Sequence, residues 1–186
     1  MVSIPTYILA GGLSSRFGED KAIQVVNGTT MLENVVNAVR SNSSSVNIIS
    51  RSTQYEIVDT RNITDITPRI GPLGGLLTAY EDFAEEQFLL LSCDLPYLTP
   101  AFVEWFLQEV DTKKTNWLLS EKGHEPLIAV YHKDDKRHLI EMHSNKELSL
   151  RKLIDRTEIN LIHASSYRGY SGKELLNINK KEDLLT

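Results

Sequence analysis

The sequence predicts an α/β fold in which a mostly parallel sheet is covered by helices on both faces, giving three layers. Three observations carry this reading. Short apolar runs alternate along the chain with segments of helical periodicity. The clearest run, Phe88-Leu89-Leu90-Leu91-Ser92, is apolar at nearly every position, as a strand buried on both faces must be. Loops rich in glycine and aspartate follow the runs, at the end where such sheets hold ligands.

Taken in order, Ile4 to Ala10 reads as a first buried strand, ended by Gly11-Gly12. A polar loop follows to Lys21, then a short extension over 22–26 and an Asn27-Gly28 turn. Thr30 caps a helix marked by Met31, Val35, Ala38 and Val39. Val46 to Ser50 is the second strand, residues 53–58 read as a short helix, and Ile63 to Ile66 is the third strand. Gly71-Pro72-Leu73-Gly74-Gly75 opens a helix reaching about Ala84. After the Phe88 to Ser92 strand, Pro100 suits the first turn of a helix over 101–110. Asn116 to Ser120 and Leu127 to Tyr131 are two further strands joined through Gly123-His124. Helical pieces over 133–142 and 148–155 precede a strand near 158–163. A short strand, Leu175 to Ile178, and a capping helix end the chain. No repeat, low-complexity tract or long linker divides the 186 residues, so one domain over residues 1–186 is expected.

Composition narrows the function classes. The 20 Lys and Arg against 25 Asp and Glu leave a net charge of -5, a poor basis for non-specific nucleic-acid binding. An anionic substrate then needs locally placed cations. No stretch approaches the ~20 apolar residues of a membrane helix, and the N-terminus lacks a secretory pattern. The single cysteine, Cys93, excludes an intrachain disulfide and fits a cytoplasmic protein.

The chemistry lies in three loops. Residues 9–21 bring glycines, whose N–H groups can converge on one anion, together with Arg16 and Lys21. Arg16 can fork onto phosphate oxygens, and Lys21 adds a mobile point charge. Neither a Gly-Lys-Ser/Thr phosphate loop nor a Gly-x-Gly-x-x-Gly dinucleotide loop occurs there. Asp94 follows the most apolar strand, a good station for a hard ligand to Mg²⁺. Gly71 to Gly75, with Asp65 upstream, offers backbone and a carboxylate to a base or ribose. Cys93 has no His or base motif tied to it, and the five histidines show no zinc spacing.

The run Leu9-Ala10-Gly11-Gly12-Leu13-Ser14-Ser15-Arg16-Phe17-Gly18-Glu19-Asp20-Lys21 resembles the signature loop of the molybdenum cofactor guanylyltransferase family. Further motifs follow in that family's order. They are Asp65 with Pro68, Gly71-Pro72-Leu73-Gly74-Gly75, Cys93-Asp94-x-Pro96, Glu125-Pro126-Leu127, Ser149-Leu150-Arg151 and Asn177-Ile178-Asn179. The resemblance implies a Rossmann-like nucleotidyltransferase fold with a mixed sheet. It also implies transfer of GMP from GTP to the phosphate of Mo-molybdopterin. By position, Leu9, Ala10, Gly11, Gly12, Lys21, Asp65, Gly74 and Asp94 would serve the nucleotide, with Asp94 holding Mg²⁺. Arg16, Arg151, Asn177 and Asn179 would serve the molybdopterin, and Arg16, Lys21 and Asp94 the transfer itself. Other cofactor-biosynthesis proteins and acceptor molybdoenzymes are implied partners.

Two positions depart from the family pattern. Ser50-Arg51-Ser52 stands where many relatives carry an asparagine, and the usual Thr-Pro after Asn177-Ile178-Asn179 is replaced by Lys180-Lys181. Gly11, where related cytidylyl enzymes carry alanine, leaves room for a larger base, so Gly11→Ala should weaken GTP relative to CTP. The competing expectations are a molybdopterin cytidylyltransferase or other NTP-dependent nucleotidyltransferase and, in another class, a non-catalytic GTP-binding sensor or adapter.

Overall fold

A computed structural model describes residues 3–10, 20–51, 54–67 and 69–178. In chain order its strands are β1 (Ile4–Leu9), β2 (Val25–Val26), β3 (Thr29–Thr30), β4 (Ser43–Ser50) and β5 (Thr60–Thr64). Strands β6 (Gln87–Ser92), β7 (Thr115–Ser120), β8 (Gly123–His132) and β9 (Ile159–His163) follow. The α-helices are α1 (Met31–Val39), α2 (Pro72–Asp82), α3 (Pro100–Gln108) and α4 (Lys136–Ser144). Seven strands form one sheet in the order β5-β4-β1-β6-β8-β7-β9, while β2 and β3 make a separate hairpin. All neighbours pair parallel except β8, which runs antiparallel to both β6 and β7.

The strand alternation sorts side chains into two cores. Ile8, Leu89, Leu91 and Val130 pack with α1 and α3 on one face. Tyr7, Leu9, Phe88, Leu90 and Tyr131 pack with α2 and α4 on the other. This is the predicted three-layer arrangement, and it explains why the central strands lack a polar face. No described helix is long and apolar enough to cross a membrane.

Local chemistry sets the helix starts. Thr30 Oγ1 accepts from the Glu33 N–H at 3.2 Å, and Glu33 Oε2 accepts from the Thr30 N–H at 2.8 Å, a reciprocal cap for α1. At α2, Gly71 takes φ 72°, a left-handed value that favours glycine, and Pro72 occupies the first turn.

Several expectations change, and the third strand runs over Thr60–Thr64 rather than Ile63 to Ile66. Residues 54–57 are not helical; the Tyr55 N–H and carbonyl are both held by the Asn62 side chain, at 2.9 Å each. Those two groups are thereby satisfied without a helical ladder. Leu175 to Ile178 is not a strand, because the Ile178 N–H goes to the Asp94 carbonyl at 3.2 Å and its side chain is buried with Val26 and Met31. The piece over 148–155 is a 3₁₀ helix, Leu150–Asp155, whose period of three buries Leu150 and Leu153 together. The expected final helix lies outside the described residues.

Candidate active site

The parallel strands β1, β4, β5 and β6 all end at one edge of the sheet. The chain after β1, β5 and β6 continues its pairing briefly before it peels away. The Ala10 N–H donates to Ile49 (2.9 Å), the Cys93 N–H to Leu9 (3.1 Å) and the Asp65 N–H to Ser50 (2.7 Å). After β1 the chain crosses through α1 to β4 on one side; α2 later carries it back to β6 on the other. A crevice opens where the strand order reverses. It holds about 250 Å³ and is lined by Leu9, Ala10, Lys21, Ser50, Asp65, Gly71, Pro72 and Asp94, among others.

Lys21 and Asp94 meet inside it. Lys21 Nζ donates to Asp94 Oδ2 at 3.0 Å, with the two side chains 17% and 18% exposed. Lys21 begins a 3₁₀ turn, Lys21–Ile23, capped by Asp20, whose Oδ1 accepts from the Ala22 N–H at 3.0 Å. The Tyr55 hydroxyl in turn contacts Asp20 Oδ2 at 2.8 Å and the Ala10 carbonyl at 3.2 Å. Asp94 stands two residues past β6, and its carbonyl anchors the tail through Ile178.

A second cleft of about 170 Å³ adjoins the first and shares Ser92, Asp94 and Leu127 with it. Glu125, Pro126, Arg151 and Asn177 complete its lining. It exists because β8 is reversed, so its first residues lie at the edge where the parallel strands end. Its pairing with β7 slips at this point, between Trp117 and Leu118, around Pro126. Proline has no N–H to give a ladder, and such slips re-aim neighbouring side chains. Ser120 Oγ fixes Glu125 Oε1 at 2.7 Å, and the Tyr131 hydroxyl fixes the Pro126 carbonyl at 2.8 Å.

Of the residues singled out in the sequence, Leu9, Ala10, Lys21, Asp65 and Asp94 share the first cleft. Arg151 and Asn177 join Asp94 in the second. Gly74 lines neither cleft: an added Cβ would sit 2.3 Å from the Thr67 carbonyl oxygen, so this glycine lets α2 pack on the turn after β5. The Asp65 Oδ1 already accepts from the Thr67 N–H (2.9 Å) and Thr78 Oγ1 (3.2 Å), so this carboxylate braces that turn while lining the cleft. Gly11, Gly12, Arg16 and Asn179 lie outside the described residues. Sequence reading missed Tyr55, which sat in a segment taken for helix and carries no motif.

Among the described residues no group of three or more His, Cys, Asp or Glu converges on one point. An all-protein metal cage is therefore lacking there, whereas one carboxylate at the junction of two clefts fits Mg²⁺, which takes its remaining ligands from phosphates and water. Burial pushes the Cys93 thiol up to about 12, with the Asp94 charge adding to the effect. The thiol stays protonated at neutral pH and is no nucleophile.

Comparison with known proteins agrees with this geometry. Residues 6–161 match the family described as MobA-like NTP transferase domain. A probable molybdenum cofactor guanylyltransferase of Carboxydothermus hydrogenoformans is 31% identical over 193 residues, covering 98% of this chain and 94% of the relative. Another from Flavobacterium johnsoniae is 27% identical over 189 residues, covering 99% and 96%. The crystal structure of molybdopterin-guanine dinucleotide biosynthesis protein A from Archaeoglobus fulgidus superposes with a TM-score of 0.80 at 19% identity, over 97% of this chain and 95% of that one. The shared architecture is the Rossmann-like nucleotidyltransferase fold.

Proposed function

Since this chain belongs to the MobA-like NTP transferase family and is a nucleotidyltransferase, we propose that it transfers GMP from GTP to the terminal phosphate of Mo-molybdopterin. The products are molybdopterin guanine dinucleotide and pyrophosphate. One observation carries the reading: Lys21 and Asp94 are paired at 3.0 Å where two clefts meet, one lined by Leu9, Ala10 and Asp65 and one by Arg151 and Asn177. A two-substrate transfer needs such a junction.

GTP occupies the larger cleft. Leu9 and Ala10 bring backbone against it, the family motif assigns Gly11 and Gly12 to the same substrate, and Asp65 faces its ribose. Molybdopterin occupies the smaller cleft, its phosphate drawn by Arg151 and Asn177, with Arg16 and Asn179 completing that set. A phosphate oxygen of molybdopterin attacks the α-phosphorus of GTP. The bond from that phosphorus to the β-bridging oxygen breaks, and pyrophosphate leaves with the electron pair. The attacking phosphate has its second pKa near ~6, so it is largely ionised at neutral pH and needs no general base. That suits clefts whose thiol is locked in its protonated form. The difficulty is bringing two anions together. Lys21 offsets the charge on the triphosphate, and Mg²⁺ held by Asp94 would supply the remaining neutralisation. One cytoplasmic domain carrying both clefts suffices for this chemistry.

The test is pyrophosphate release with each of the four NTPs, with and without Mo-molybdopterin. Release with GTP that depends on molybdopterin is expected. Release with CTP instead makes the chain a cytidylyltransferase, and GTP binding with no release makes it a sensor.

A further inference from the structure

We propose that Tyr55 is a positioning residue for the nucleotide, acting through Asp20 to hold Lys21 ready in the free protein. This rests on the nucleotide reading given above for the larger cleft.

The geometry is a relay that starts on the sheet. Asn62 belongs to β5 and pairs with Ile48 of β4. Its side-chain amide holds both main-chain groups of Tyr55, at 2.9 Å each. The Tyr55 residue is 8% exposed, and it packs in the same core cluster as Ala10 and Ala22. Its hydroxyl emerges where the chain leaves β1 and where it returns, touching the Ala10 carbonyl at 3.2 Å and Asp20 Oδ2 at 2.8 Å. A phenol has one proton, so these acceptors share it, and the shorter bond to a carboxylate takes the greater part. The other oxygen of Asp20 caps the turn that begins with Lys21, through the Ala22 N–H at 3.0 Å. Lys21 then reaches Asp94 at 3.0 Å.

One buried ring therefore ties together residues 10 and 20. Fixing the turn that carries Lys21 before a ligand arrives removes an ordering cost from binding. A tyrosine serving only to fill the core would need no such pair of polar contacts, and phenylalanine would replace it. The relay makes a different prediction, because its effect travels to Lys21 and so to nucleotide affinity.

The experiment compares full-length wild type, Tyr55→Phe, Asp20→Asn and the double variant. Tyr55→Phe keeps the ring and removes the hydroxyl. In protein without nucleotide, hydrogen exchange at the Ala22 amide should accelerate about tenfold. The GTP dissociation constant and KM should each rise about tenfold, the lower end of what a hydrogen bond to a charged group contributes. The value of kcat should stay within about threefold, because the chemistry of the bound state is untouched. Adding Asp20→Asn to Tyr55→Phe should weaken GTP by less than about twofold more, since both act on one relay. Unchanged Ala22 exchange, unchanged GTP affinity, a loss confined to kcat, or additive losses in the double variant would each overturn the proposal. Should wild type itself fail to bind GTP, the nucleotide reading falls, while the exchange measurement still reports whether Tyr55 orders the Lys21 turn.

Discussion

Replacing Asp94 by asparagine separates the ion pair this carboxylate makes from the metal-holding role proposed for it. The side chain is 18% exposed and accepts from Lys21 at 3.0 Å. Asparagine keeps the shape and an oxygen for Lys21, and the main-chain bond from Ile178 to the Asp94 carbonyl is indifferent to the change. What disappears is one negative charge in a partly solvated pair. Exposed pairs contribute roughly 0–1 kcal/mol, and breaking a fully buried pair costs roughly 3–5 kcal/mol. A partly exposed pair that keeps its hydrogen bond should lose about 1 kcal/mol, or roughly 2–4 °C in Tm at this chain length. Under the proposed mechanism catalysis is hit harder, since the carboxylate assigned to Mg²⁺ at the junction of the two clefts is lost. By analogy with removing a preorganised donor, kcat should fall about 10²–10³-fold, or roughly 2.7–4 kcal/mol of barrier. Pyrophosphate release at saturating GTP and Mo-molybdopterin, read beside a thermal melt and a Mg²⁺ titration, gives all three quantities. A variant that keeps kcat within about threefold of wild type at the same Mg²⁺ requirement refutes the reasoning and leaves the ion pair as a structural feature.

Gly74→Ala should lower stability by about 1–3 kcal/mol, because its Cβ would lie 2.3 Å from a main-chain oxygen of Thr67 that cannot rotate away. A melt unchanged from wild type would refute that crowding. Ile178→Ala should loosen the tail and raise the KM for Mo-molybdopterin while leaving the KM for GTP within about twofold, since Ile178 anchors the residue beside Asn177. Equal rises for both substrates would count against separate clefts. Cys93 should resist alkylation at pH 8 in the folded protein and react on unfolding, because its thiol is pushed up from 9.0 to about 12. The sign follows from the folded state holding the proton longer: this contribution to stability is full below about pH 9 and is lost between about 9 and about 12. Rapid labelling of the native protein would contradict the burial.

Much of the framework was legible because it rests on local pattern. Phe88 to Leu91 is apolar at every position since Phe88 and Leu90 feed one core and Leu89 and Leu91 the other. Thr30 and Glu33 announce the start of α1 from their spacing alone. The meeting of Lys21 and Asp94 was legible because both lie in loops after parallel strands, and such loops share an edge. Illegible features depend on partners far along the chain. The segment around Tyr55 has the composition of a short helix, but Asn62 satisfies its backbone instead. Leu175 to Ile178 is apolar enough for a strand, yet Ile178 spends its N–H on Asp94. The sequence leaves Gly74 open between a ligand glycine and a packed helix-entry turn, and the position of the Thr67 carbonyl favours packing.

A mixed sheet was implied by the family resemblance, but which strand is reversed was not legible, since period-two patterning is the same in either direction. The reading began that strand at Leu127; it begins at Gly123 and runs through Pro126, a residue that argues against a central strand. Yet this reversed strand gives the site its second half. A parallel strand beside β6 would end here and hand the chain to a helix. Strand β8 starts here instead, so Glu125 to Leu127 form a rigid wall beside Ser92 and Asp94. Leu127 faces both clefts, and so does Asp94. A donor and an acceptor can then lie on either side of one carboxylate without occupying the same space. An in-line transfer between two anions needs that separation, with a shared charge at the boundary.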